Sequence, residues 1–81
     1  MDIDVYPNPA NDVLNIEVKG VIKDAGLTAT IMNTEGKIMA TENIHKDYTI
    51  MNISTLPTGI YTIKVVNQNQ VIFVRKFIKI Q

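Results

Sequence analysis

The sequence predicts an all-β fold, an immunoglobulin-like sandwich of about seven short antiparallel strands, on three observations. Apolar and polar residues alternate over much of the chain, which is the period of a pleated strand with one buried face. Turn-forming clusters interrupt the alternation at spacings of about 8–12 residues, as in sandwiches and barrels. Apolar spacing of three and four never persists long enough to mark a helix.

The elements follow in order. Residues 4–6 form a first strand that ends at Pro7-Asn8-Pro9, because proline holds φ near −65° and donates no ladder hydrogen bond. In Val13–Lys19, Leu14, Ile16 and Val18 alternate with Asn15 and Glu17. Gly20 and Asp24-Ala25-Gly26 then break the chain before residues 27–33, where Leu27, Ala29 and Ile31 share one face. Thr34-Glu35-Gly36-Lys37 reads as a hairpin turn into residues 37–43, with Gly36 at a position of positive φ. Residues 49–53 form a fifth strand. Leu56-Pro57-Thr58-Gly59 then turns into residues 61–66, with Gly59 read as supplying a conformation closed to other residues. Asn67-Gln68-Asn69-Gln70 joins that strand to residues 71–80. This last strand has apolar residues on both parities, so a bulge near Arg75-Lys76 is expected to restore one clean face. Leu14, Ile16, Ile31, Leu56, Tyr61, Ile63 and Val65 are the expected core, and all five aromatic residues are assigned to packing by default.

At 81 residues the chain holds one small domain, 1–81, with Met1 read as an added start residue. Eight bases balance eight acids, so no electrostatic footprint for nucleic acid exists. The charges are nevertheless segregated: residues 1–40 carry six acids against three lysines, and no acid follows Asp47. No apolar run approaches the ~20 residues of a membrane-spanning helix, and no signal peptide opens the chain.

The chemistry-bearing residues are few. Absence of cysteine excludes disulfides, thiolate metal sites and cysteine nucleophiles. A single serine, Ser54, and a single histidine, His45, make no triad. Ser54 fits a local turn bond and His45 a solvated loop. Asp2, Asp4, Asn8 and Asp12 offer oxygens without the spacing of a calcium loop. The residues support no enzyme, no cofactor and no metal. Tyr61, heading a strand after a proline-glycine turn, has the position of a tyrosine corner, whose hydroxyl bonds backbone where the chain changes sheets.

Four blocks occur in a familiar order. Tyr6-Pro7-Asn8-Pro9-Ala10 with Leu14-Asn15-Ile16, then Ala29-Thr30-Ile31 through Gly36-Lys37, then Leu56-Pro57-Thr58-Gly59-Ile60-Tyr61, and last Arg75-Lys76-Phe77-Ile78-Lys79. From Val5 to the last residue the chain resembles the Por secretion system C-terminal sorting domain, the type A sorting domain of type IX secretion in Bacteroidetes.

The resemblance implies an immunoglobulin-like domain carried behind a cargo protein. Such a cargo crosses the inner membrane by the general pathway, and the domain addresses it to the outer-membrane translocon. A surface sortase then usually removes the domain and attaches the cargo. The implied partners are translocon components and the sortase, the implied location is the periplasm and then the cell surface or exterior, and the domain is a monomer. Pro7, Pro9, Gly36, Leu56, Pro57, Gly59, Tyr61, Arg75, Lys76 and Lys79 are the candidate signal residues, the three bases being expected to face a reader. The alternative is a fibronectin-like or carbohydrate-binding spacer, although a chain without tryptophan makes a poor sugar platform.

Overall fold

The computed structural model describes residues 2–20, 26–44 and 47–81. The expected turn at Asp24-Ala25 and the loop residues His45 and Lys46 lie outside the described residues. Seven strands form two antiparallel sheets: β1 (Asp2–Tyr6), β2 (Val13–Lys19), β3 (Leu27–Met32), β4 (Ile38–Ile44), β5 (Tyr48–Asn52), β6 (Gly59–Asn67) and β7 (Gln70–Lys79). The small sheet has the order β1-β2-β5 and the large sheet β4-β3-β6-β7. Among the described residues there is no helix, and hence none long and apolar enough to cross a membrane.

The alternation read from the sequence builds the core. Leu14, Ile16 and Val18 of β2 face Leu27, Ala29 and Ile31 of β3 and Tyr61, Ile63 and Val65 of β6 across the sandwich, all buried. All seven expected core residues are buried. Tyr61 and Phe77, cross-strand partners on β6 and β7, stack with ring centroids 5.7 Å apart. Tyr6 and Tyr48 depart from the packing expected of the aromatics. They stand on the outer face of the small sheet, where the Tyr48 hydroxyl donates to Asn15 Oδ1 at 2.6 Å.

Two turns show how local chemistry sets register. At the β3–β4 hairpin Gly36 has φ +84°, as expected, and Asn33 Oδ1 accepts from the N–H groups of Glu35 and Lys37 at 2.9 Å each. The β6–β7 hairpin turns through Gln68 and Asn69, both at positive φ, in the left-handed sense that matches strand twist. The bulge of the last pair lies near this turn rather than at Arg75-Lys76. Val65 pairs with Phe73 and Val66 with Val71, so Ile72 is the extra residue. Beyond it, Phe73 and Phe77 face inward, while Val74, Lys76 and Ile78 face outward beside Lys64, Thr62 and Ile60.

Ile63→Ala, which empties a fully buried position, is expected to cost about 2–5 kcal/mol. Ile60→Ala, three residues away but exposed, should cost about 0.5 kcal/mol or less. Urea unfolding of the two variants measures the contrast, and equal losses would refute this assignment of the faces.

Candidate functional site

The loop after β1 does more than join two strands of the small sheet. It crosses to the outer edge of the large sheet and bonds to β7. Ala10 N–H donates to the Ile78 carbonyl at 2.7 Å, and Ile80 N–H donates to the Ala10 carbonyl at 2.7 Å. Ala10 is fully buried there. Asn8 extends the same edge: its Oδ1 accepts from Ile78 N–H at 3.0 Å, and its Nδ2 donates to the Lys76 carbonyl at 3.5 Å. Pro7 and Pro9, both exposed and both following cis peptide bonds, flank this contact.

The crossing between sheets from β5 to β6 lies at the same end. Ile53 N–H donates to the Asp12 carbonyl at 2.8 Å, and Leu56 N–H donates to the Ile53 carbonyl at 3.0 Å. Leu56 is buried under the turn, and the Tyr61 hydroxyl donates to the Pro57 carbonyl at 2.6 Å, as a tyrosine corner does. Gly59 corrects the sequence reading. Its φ is not positive, and an added Cβ would meet only Tyr61 Cε2 at 3.9 Å, so the turn does not require glycine for its conformation.

All four sequence blocks therefore meet at one end of the sandwich. Lys79 pairs with Gly59 and bridges Ala10, while the Gly36 turn closes the adjoining end of β3. Two open depressions, of about 240 and 440 Å³, adjoin there on the outer face of the large sheet. Ile60 and Lys76 line both, the smaller being completed by Asn8 and Ile78 and the larger by Met32 and Gly36.

The three C-terminal bases do not form one exposed cluster. Lys76 is exposed beside Ile60 and Ile78. Arg75 lies 5.1 Å over the Phe73 ring and reaches round the edge to Asp4, 3.8 Å away. Lys79 is only 3% exposed, and its Nζ donates to the Ile80 carbonyl at 2.8 Å. Its alternation with buried Phe77 carries it inward, so its aliphatic stem belongs to the core. The described residues contain no group of three His, Asp or Glu side chains able to hold a metal.

The opposite outer face carries the N-terminal acids. Asp4 and Glu17 are direct cross-strand partners, and Tyr6 shares that face. Although Tyr6 is exposed, partial desolvation of its phenol against the sheet first, then Glu17, Tyr48 and Asp4, raises it above its ordinary value of 10.0.

The sequence matches the family model of the secretion system C-terminal sorting domain over residues 4–81. The chain belongs to that family. Among solved structures the sorting domain is similar to part of PorZ from Porphyromonas gingivalis, described as an essential bacterial surface component of the type-IX secretion system. The superposition has a TM-score of 0.76 at 21% identity and covers 98% of this chain but 11% of PorZ, a likeness of fold. No curated protein matches the chain. The family is one of sorting signals and not of enzymes.

Two residues that make this end were not singled out for it in the sequence. Asn33 shapes the hairpin and Asn8 caps β7. An asparagine between two prolines and another three residues before a turn glycine were the available signals.

Asn8→Ala, which strips a partner from Ile78 N–H, should cost about 0.5–1.5 kcal/mol in urea unfolding. Gly59→Ala should shift stability by about 0.5 kcal/mol or less; a larger loss would restore a conformational role for this glycine. The raised Tyr6 phenol favours the protonated folded state. Its contribution is complete below the unfolded pKa and is lost as pH rises through the folded one, above 10.0. An NMR titration of the Tyr6 ring should therefore find a midpoint above 10.0, and Glu17→Gln should lower it.

Proposed function

We propose that this sorting domain is the C-terminal address of a type IX cargo protein. It directs the cargo from the periplasm through the outer-membrane translocon to the cell surface or the exterior, and a surface sortase then removes it. The observation that carries the reading is the family match over residues 4–81. The gathering of all four sequence blocks at one end supports a single recognition end that holds Ile60 and Lys76. The domain acts as a substrate of the export machinery, as a monomer, and catalyses nothing itself.

The strand directions support a polarity for this address. Asp2 pairs with Lys19 and shares a hollow with Asn67 and Ile72, at the end opposite the four blocks. A cargo joined ahead of Asp2 would leave from that far end, keeping its bulk away from the end that is read. A spacer module has no such requirement.

The test is a reporter carrying an inner-membrane signal peptide and this domain, expressed in a bacterium with type IX secretion. The intact fusion should reach the surface, and deletion of residues 76–81 should hold it in the periplasm. Because Lys79 is buried, the charge test uses Arg75→Gln with Lys76→Gln only, after its melting temperature is shown to stay near that of the parent. This folded variant should also remain periplasmic. Surface arrival at parental levels would remove Arg75 and Lys76 from the signal, and an intact fusion that stays in the periplasm would overturn the sorting reading.

A further inference from the structure

The outer edge of β7 is closed along one half and open along the other. Antiparallel strands point alternate residues' N–H and C=O groups to opposite sides. Ile78 directs both groups away from β6, toward Asn8 and Ala10. Lys76 and Val74 share its parity with no register shift between them, so they also present their backbone groups outward. Below the Asn8 contact, no described strand pairs with that edge.

Edge strands normally discourage pairing with charge, brevity or a bulge. The opposite edge strand of the large sheet, β4, has a register shift at Ile31/Met32 and carries Glu42. By contrast, β7 runs for 10 residues and exposes Val71, Ile72 and Val74, with exposures of 48%, 37% and 57%. Its bulge lies at the hairpin end, leaving 73–79 regular. The charges beside the open stretch are Arg75 and Lys76, with Lys64 one strand inward, and among the described residues Asp4 pairs with Arg75. This edge is long, apolar and basic, so its bases oppose a like-charged strand and leave an acidic one free to pair.

We infer that the open half of β7 is a docking edge for an extended segment of a partner protein, which adds to the large sheet as a further strand. The segment has acids beside Arg75 and Lys76 and a branched apolar residue beside Val74. Backbone bonds to the N–H and carbonyl of Val74 and to the N–H of Lys76 supply the pairing, and the side chains supply the choice of partner. Charge argues against a second copy of this edge, because antiparallel pairing of two β7 strands brings Arg75 and Lys76 of each against the other and β7 itself carries no acid. The inference rests on the sorting reading only for the partner's place in the export machinery.

The experiment uses the isolated chain, labelled for NMR, and a blocked peptide of alternating valine and threonine with two adjacent glutamates. The expected result is saturable shifts concentrated at the amides of residues 71–76. Val74→Pro removes an N–H that points away from β6 and should abolish the shifts while the rest of the spectrum is retained. Lys76→Glu should weaken the glutamate peptide several-fold and favour the same peptide with lysines in place of glutamates. Absence of shifts, shifts centred on β4, binding that survives Val74→Pro in a folded chain, or dimerisation through β7 without peptide would each overturn the inference. None of these results bears on the sorting reading, which stands or falls on surface arrival of the intact reporter.

Discussion

Ala10 exchanges two hydrogen bonds with the last strand, accepting from Ile80 and donating to Ile78, and this short parallel contact couples the two sheets at one edge. The loop that carries Ala10 begins and ends in the small sheet, whereas β7 belongs to the large one. A thin sandwich of three and four strands has little apolar area with which to hold its layers together. Backbone bonds between layers therefore matter, and they also shield part of an edge that would otherwise be free. The β5–β6 crossing serves the same end from the other side, through Ile53, Leu56 and the Tyr61–Pro57 bond.

This arrangement brings blocks distant in sequence to one end of the sandwich. Asn8 and Ile78 are 70 residues apart yet share a hydrogen bond, and Lys79 lies between Gly59 and Ala10. The surface around Ile60 and Lys76 is complete only when the first loop, the inter-sheet turn and the last strand have all assembled. An unfolded chain presents the same residues without that conjunction.

The charge distribution gives the sandwich two different outer faces. Asp4 and Glu17 sit side by side on the small sheet, and their field reaches Tyr6. The outer face of β6 and β7 carries Lys64 and Lys76 among Ile60, Val74 and Ile78. The net charge is zero, so orientation rather than overall attraction is what such a distribution controls.

Alternation alone determined the seven strands and the inward residues Leu14, Ile16, Ile31, Ile63 and Val65, because a strand's side-chain period is two whatever it packs against. The Gly36 turn and the Tyr61 corner were legible for the same reason, since their chemistry is local. Tyr6 and Tyr48 were misread as core because an aromatic on a strand has two faces to choose from, and only the opposing sheet makes one of them dry. Lys79 was misread as exposed because its charge says nothing about the strand parity that sinks it beside Phe77. The displaced bulge at Ile72 and the edge cap by Asn8 depend on partners many residues away, which period and composition do not encode. Local periodicity thus settled the elements and most of the core. The pairing of distant edges, decided only when two sheets close on each other, brought the residues of the candidate site together.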